Sequence, residues 1–222
     1  MLYVKGFLVA LQGVPVTVGV TLIAMVTGVV LGLVLALMKM SRIKVLTALA
    51  SLYIEIIRGT PLIVQALIMA YGLPQLLQSS GISFRWPYLI IPAVIVCGLN
   101  SAAYVAEVIR SGIQSVDRGQ VEAGRSLGLN SRTTMMKIVL PQAFKNVAPA
   151  IFNEFIALLK ETSIAGYVGI QDLTKGGDII RSITYDAFMP LFLVAAIYLV
   201  LVILLTMCLS KLERRLHQSD KR

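Results

Sequence analysis

This chain has few of the residues that catalytic and metal sites require. Its 222 residues include 2 cysteines and 1 histidine, and Cys97 and Cys208 both lie in apolar stretches. Lone thiols in such surroundings behave as small apolar side chains, so we expect neither a disulfide nor a metal site. The sequence has no phosphate-binding loop of the Walker A type and no nucleophile with an accompanying base. The chain alone is therefore not expected to hydrolyse ATP.

Charge is scarce as well, and apolar residues replace it. Charged residues make up 14% of the chain, hydrophobic residues 57%, and the mean hydropathy is +0.84. Segments 6–38, 59–84, 86–106 and 187–210 lack charge, and each reaches the roughly 20 residues that cross a bilayer as a helix. A fifth apolar segment contains Glu154, Lys160 and Glu161. The sequence predicts an all-α membrane protein, one domain over 1–222, with five spans at about 14–38, 55–78, 87–110, 146–168 and 187–210.

Basic residues are distributed unevenly between the predicted loops. Of the 20 lysines and arginines, 15 fall after the first and third spans or in the C-terminal tail, and 5 fall on the opposite side. The positive-inside rule then places the N-terminus outside and the C-terminus in the cytoplasm. This topology explains the basic excess without nucleic-acid binding, and it puts the loop of about 117–141 in the cytoplasm.

That loop carries a demanding pattern, E-A-G-x-x-x-G, then nine residues, then I-x-L-P. Its fixed positions are Glu122, Ala123, Gly124, Gly128, Ile138, Leu140 and Pro141. The pattern resembles the EAA loop in the membrane subunits of bacterial ABC importers, with Gly124 where that family most often has a second alanine. The resemblance implies a cytoplasmic coupling helix between spans 3 and 4 that docks onto a separate ATPase.

Local chemistry supports two short helices within this loop. Asp117 and Gln120 have capping-box spacing, Gly128 is suited to a left-handed helix stop, and Ser131 is placed to cap a second helix that ends before Pro141. An ordinary solvated loop is the alternative. If the loop docks, the ATPase-coupling residues are Arg118, Glu122, Ala123, Gly124, Arg125 and Gly128.

Three more segments extend the resemblance to the polar amino-acid permeases, which include histidine, arginine, glutamine and cystine uptake systems. They are Glu55-x-x-Arg58-Gly59-Thr60-Pro61, Asn100-Ser101-Ala102-Ala103-Tyr104-x-x-Glu107 and Leu159-Lys160-Glu161-Thr162-Ser163, where the family often has Asp at position 161. The resemblance implies a location in the bacterial cytoplasmic (inner) membrane. It also implies two ATP-binding cassette subunits, which hold ATP and Mg²⁺, a second permease subunit, identical or homologous, and an extracytoplasmic amino-acid-binding protein. No cofactor is expected in this chain.

Some of these charged residues also suit structural or gating roles. Glu55 with Arg58, and Glu107 with Arg110, have the i, i+3 spacing at which opposite charges pair on a helix. Gly59, Thr60 and Pro61 are expected to kink their helix, with the Thr60 hydroxyl bonded to a freed carbonyl.

The fourth predicted span suggests a substrate site. Glu154 and Glu161 are seven residues apart, which places them on one helix face about 10 Å apart along the axis. That separation suits an amino acid with a cationic group at each end, such as arginine or lysine. Hydrogen-bonding candidates are Asn100, Tyr104, Gln65 and Asn153, although each also suits contacts between helices.

Several alternatives remain open from the sequence. Glu161 has Lys160 or Arg181 as a possible structural partner, in which case one acid binds the α-ammonium of a neutral or cystine-like substrate. A secondary transporter or channel is a different class, but five spans are few for one and no inverted repeat is visible. A membrane-embedded enzyme would need a convergent catalytic set that the sequence lacks.

Overall fold

The structure, a computed structural model, describes residue 8 and residues 10–218, with side chains to residue 216. Three of the basic residues counted above, at positions 5, 221 and 222, lie outside this part, as does the side chain of His217. Throughout residues 10–218 the regular structure is helical. This is expected in a bilayer, because lipid cannot form hydrogen bonds with backbone N–H and C=O groups, whereas a helix pairs them internally.

Ten α-helices follow one another along the described chain. They are α1 (Val14–Lys39), α2 (Lys44–Gly59), α3 (Leu62–Leu67), α4 (Leu73–Ser79), α5 (Ile90–Gln114), α6 (Arg118–Ser126), α7 (Ser131–Thr134), α8 (Leu140–Glu161), α9 (Leu173–Thr184) and α10 (Phe188–Gln218). Two π-helical turns, Ile68–Gly72 and Met135–Val139, join α3 to α4 and α7 to α8, and a 3₁₀ segment, Thr162–Val168, follows α8.

Four of these helical stretches are long and apolar enough to cross a membrane: Ala10–Lys39, Leu62–Ser79, Ile90–Gln114 and Phe188–Leu216. The fifth expected span corresponds to α8, which has 22 residues and a length of about 33 Å but carries the charged residues Glu154, Lys160 and Glu161. The protein is therefore an all-helical membrane protein with four to five spans. The exposed apolar side chains on α1 and α10 suit contact with lipid.

The observed helix bounds differ from the expected ones at several points. The second span begins at Leu62 instead of residue 55, because Thr60 and Pro61 are extended and separate it from α2. Thus Gly59-Thr60-Pro61 breaks the helix instead of kinking it, while the Thr60 hydroxyl does donate to the Ile56 carbonyl at 2.8 Å. The third span, Ile90–Gln114, is shifted towards the C-terminus, the fourth begins at Leu140, and the last continues to Gln218.

The centre of the fold is the packing of α1 against α5. Small residues recur every four positions along α1 (Ala24, Gly28, Gly32 and Ala36), and all four are buried. A Cβ added at Gly28 would lie 2.7 Å from Ser101 Oγ, and one at Gly32 would lie 2.8 Å from Val105 Cβ. Small residues at this spacing let helices in membranes approach closely. The α1–α5 pair is the frame on which α2, α3 and α8 pack.

Both π-helical turns immediately precede a Leu-Pro pair, at Pro74 and Pro141. Proline lacks an N–H, and its ring clashes with the carbonyl four residues earlier, so an ordinary α-turn is disfavoured there. Widening the turn relieves that clash but still leaves the carbonyl five residues before the proline without its donor. In the first turn this carbonyl belongs to Met69, and Trp86 Nε1 donates to it at 2.8 Å.

Candidate functional site

The loop between α5 and α8 contains a well-capped helix, α6. Asp117 is its N-cap and accepts from Gly119 N at 2.8 Å, so a capped helix begins where the sequence predicted one. At the other end Gly128 has φ +81°, Leu129 N donates to Gly124 O, and Gly128 N donates to Arg125 O. These two bonds form a Schellman motif, in which glycine avoids the steric cost of the left-handed conformation.

The second helix of the loop differs from expectation in its cap and its length. The N-cap is Asn130, whose side chain accepts from Thr133 N at 2.8 Å, and Ser131 instead accepts a hydrogen bond from Arg125. The helix does not stop before Pro141, because the π-helical turn accommodates the proline and α7 continues into α8. One continuous helical path therefore joins the loop to Glu161.

The outer surface of α6 is polar and exposed, with Arg125 bonded to Ser131. Arg118, Glu122, Ala123 and Arg125 are exposed, and Leu127, just after the helix, is 82% exposed. Gly124 is buried, and a Cβ there would lie 2.7 Å from Ile138 Cδ1. A cavity of about 600 Å³ lies between α6, α7 and the end of α5. This surface has both the charged groups and the apolar group that a docking helix needs.

The two acids of α8 lie beside α5. Glu154 and Glu161 are half-buried; Glu154 faces the Ser101 hydroxyl, with Glu161 and Arg58 within electrostatic range, and Glu161 is within range of Cys97. Charge inside a membrane protein ordinarily faces a polar cavity or a charged partner. Across the described chain, Glu161 makes no ion pair with Lys160 or Arg181 within 4.0 Å, and Arg181 pairs with Asp178 instead. Lys160 is nevertheless within electrostatic range of Glu161.

The polar candidates on α5 and α3 lie in different surroundings. Asn100 is 4% exposed, and Tyr104, one turn later, lies under the Arg58 guanidinium with Cζ 4.9 Å from the ring centroid. Gln65 donates through Nε2 to Ile57 O at 2.8 Å and to Thr60 O at 3.1 Å, so its amide nitrogen stabilises the break between α2 and α3. Asn153 is exposed.

The two expected ion pairs behave differently. Glu107 binds Arg110 at 2.8 Å and also Lys39 at 2.5 Å, which joins the ends of α1 and α5. Throughout the described part of the chain Glu55 makes no such pair, and Arg58 extends over Tyr104 instead. The contacts of Lys39 with Glu107 and of Ser101 with Glu154 are not visible in the sequence, because the partners are more than 45 residues apart along the chain.

A buried carboxyl stands at the start of α9. Asp172 is 1% exposed, and its Oδ1 accepts from Lys175 N at 2.8 Å as the N-cap, but Oδ2 has no hydrogen-bond partner. Burial raises the pKa of Asp172. Further along α9, hydrogen bonds from Lys175 and Arg181 lower the pKa of the partly exposed Asp178.

Comparison with known proteins identifies the class. Residues 28–218 match the family described as "Binding-protein-dependent transport system inner membrane component". The chain belongs to this family and is a multi-pass permease of a bacterial ABC transporter, distinct from the ATPase subunit.

Similar proteins cover nearly the whole chain. The arginine transport system permease protein ArtQ of Bacillus subtilis (strain 168) is 40% identical, over 95% of this chain and 93% of its own. The putative glutamine transport system permease protein GlnP of Rickettsia bellii is 38% identical, over 92% and 91%. A crystal structure of an amino acid ABC transporter with histidines superposes with a TM-score of 0.88 at 46% identity, covering 96% of both chains. The inward-facing MetNI methionine ABC transporter, at 22% identity and a TM-score of 0.71, shares the fold.

Proposed function

We propose that this permease imports a polar, cationic L-amino acid and that Glu154 and Glu161 bind its two positive groups. The observation that carries the proposal is the pair of half-buried acids on α8, unpaired within 4.0 Å in the described chain and turned towards α5. Relatives named for arginine and glutamine and a structure with histidines support a polar amino acid. Glutamine or cystine is the alternative, with one acid on the α-ammonium.

Coupling to ATP hydrolysis is assigned to α6. Its exposed Arg118, Glu122 and Arg125 would insert, with Ala123, into a cleft of the ATPase. Because α7 continues through the π-helical turn into α8, movement of the loop would displace the helix that carries Glu154 and Glu161. Nucleotide-driven closure of two ATPase subunits would thus reach the substrate site through a rigid element.

The proposed orientation places the N-terminus outside and α6 in the cytoplasm, since basic residues are concentrated on that side. A cysteine introduced at Ser131 should not react with an impermeant thiol reagent added outside intact cells. Labelling from outside would refute both the orientation and the docking role. On the outer side, an amino-acid-binding protein would deliver the substrate.

A second permease subunit completes the proposed assembly. The α2 helix exposes Val45, Leu49, Leu52 and Ile56, an apolar surface suited to a neighbouring subunit or to lipid.

Uptake should require ATP and the ATPase subunits. Uptake by the permease alone would favour a secondary transporter or channel.

The test of the substrate site is uptake by the complete complex in proteoliposomes, with basic, neutral-polar and sulfur-containing amino acids as competitors. Glu154→Gln and Glu161→Gln each remove a charge-assisted hydrogen bond, so the apparent affinity for basic amino acids should fall about 10- to 100-fold. Glu213→Gln, the same change near the end of α10, is the matched control. Unchanged affinity for every amino acid in both variants would refute the site.

A further inference from the structure

The 3₁₀ segment that follows α8 is unusually long. It has seven residues, Thr162–Val168, begins directly after Glu161, and ends at Gly169, where φ is +92°. Runs of 3₁₀ helix longer than three or four residues are uncommon, because their hydrogen bonds are poorer than those of an α-helix, and within a helix they often mark a hinge. The sequence of the segment, TSIAGYV, is rich in β-branched residues and contains glycine, which have low α-helix propensity. A small change in free energy can therefore alter the type of helix here.

The chain beyond this segment is anchored to α1. Leu173 N, at the start of α9, donates to the Thr17 hydroxyl of α1 at 3.2 Å. Gly13, just before α1, lets the two backbones approach so closely that an added Cβ would lie 2.3 Å from the carbonyl carbon of Asp172. Asp172 itself is 1% exposed. The start of α9 is therefore fixed on α1.

The same helix is also packed against α10. Thr174 Oγ1 lies 3.1 Å from the Tyr198 hydroxyl, and a Cβ added at Gly177 would lie 2.4 Å from Val194 Cγ2. Ile180 and Val194 belong to one buried apolar cluster. Close contacts along the length of α9 thus hold it to α10 as well as to α1.

The neighbours of the 3₁₀ segment, in contrast, are small. Ala165 shares a buried cluster with Ala66, Ala70 and Ala93, which come from α3, the first π-helical turn and α5. Alanine side chains protrude little and form shallow ridges, so a helix can shift over them without disengaging large interdigitated side chains. The 3₁₀ segment is thus less firmly held by its surroundings than α9 is.

Any movement of α8 has to be absorbed between Glu161 and Asp172. The coupling proposed above displaces α8, whereas the start of α9 is anchored. A 3₁₀ helix rises about 2.0 Å per residue and an α-helix about 1.5 Å. Converting the seven residues to α-helix would therefore shorten the segment by about 3.5 Å. By that distance α8 can approach α9 without disturbing the contacts of α9.

We propose that Thr162–Val168 is an extensible link, which changes between 3₁₀ and α-helix as α8 moves and so leaves α9 in place on α1 and α10. This assignment rests on the proposed displacement of α8 by α6 and holds whichever amino acid is carried. The ends of α1, α9 and α10 next to the link form a fixed frame, and the acids of α8 move relative to it.

Two reversible disulfides test which parts move. In Gly166→Cys/Lys175→Cys the two Cβ atoms would lie 3.4 Å apart, and the bond would tie the link to α9. In Gly177→Cys/Val194→Cys they would lie 3.6 Å apart, and the bond would tie α9 to α10 as the matched control. Both separations are close to the roughly 3.5–4.5 Å found in disulfides. Both pairs are placed in a Cys208→Ser background, because Cys208 is exposed.

Uptake is measured in proteoliposomes with the complete complex, using L-arginine, L-glutamine or L-histidine, whichever the unmodified complex imports fastest. Tying the link to α9 should lower uptake at least about tenfold, reversed by a reductant, whereas tying α9 to α10 should change it less than about twofold. The oxidised single variants control for loss of the Lys175–Asp178 ion pair and for oxidation elsewhere. Unchanged uptake with the link fully cross-linked, or equal losses in both pairs, would overturn the proposal.

A second measurement needs no new side chain, since a Cβ at Gly166 would also lie 2.8 Å from Asp172 Oδ1. Amide hydrogen exchange is compared in the unmodified complex without nucleotide and during ATP hydrolysis. ATP should accelerate exchange in the link at least about tenfold and leave α9 unchanged. No effect of ATP on the link would overturn the proposal. In Glu122→Lys the effect should disappear; if it persists there, the link stands and coupling through α6 fails instead.

Discussion

The packing of α1 against α5 allows a prediction with an internal control. A Cβ at Gly32 would lie 2.8 Å from Val105 Cβ and 2.9 Å from the Ala102 carbonyl, and both neighbours are completely buried. A Cβ at Gly19, in the same helix, would meet no atom within 4 Å. Comparing Gly32→Ala with Gly19→Ala therefore isolates the contact between the helices.

The magnitude follows from two opposing effects. Alanine is favoured over glycine in a helix by about 0.5–1 kcal/mol, and this gain applies at both positions. Overpacking a buried contact costs about 1–3 kcal/mol, and only Gly32→Ala incurs it. Since about 1 kcal/mol corresponds to 2–4 °C in a chain of this size, Gly32→Ala should melt about 2–12 °C below Gly19→Ala.

The assay is stepwise heating of the detergent-purified complex, followed by size-exclusion chromatography of the protein that remains folded. Because membrane complexes unfold irreversibly, both variants must be heated at the same rate. Equal melting temperatures, or a lower one for Gly19→Ala, would refute the close approach of α1 and α5.

Three other predictions concern separate parts of the fold. Gly128→Asp, which places a negative charge at the C-terminus of α6, and Glu122→Lys should abolish uptake and uncouple ATP hydrolysis while the permease still inserts. Gly128→Asn, which like Asp tolerates the left-handed conformation but carries no charge, should retain partial uptake. Normal transport in the first two variants would contradict the coupling role. Burial raises the pKa of the Asp172 carboxyl, so folding favours its protonated form. Stability should therefore increase as the pH falls from the folded pKa towards the unfolded value near 4. Asp172→Asn keeps the helix cap, and its melting temperature should depend less on pH over that range. Trp86→Phe leaves the Met69 carbonyl without its donor and should reduce the stability of the fold by about 1–3 kcal/mol. The melting temperature of Trp86→Phe should therefore fall, whereas that of Tyr88→Phe, a change at an exposed side chain, should not.

The sequence alone was enough to predict a membrane protein built of helices and the position of the capped helix α6. Long charge-free segments admit few folds in a bilayer, and the capping signals of α6 are local, so Asp117 and Gly128 predicted its two ends correctly. At Gly59-Thr60-Pro61 the sequence predicted only a kink within a span from residue 55, whereas the helix breaks there and the next one begins at Leu62.

Tertiary structure decided what the charged and small residues contact. Spacing allowed both Glu55–Arg58 and Glu107–Arg110, but Tyr104 draws Arg58 away, while Lys39, from a distant helix, joins Glu107. The wide turn before Pro141 made α7 and α8 continuous, contrary to the local expectation of a stop. These outcomes depend on which helices pack together, and residues close in space here are often far apart along the chain, so local patterns could not reveal them.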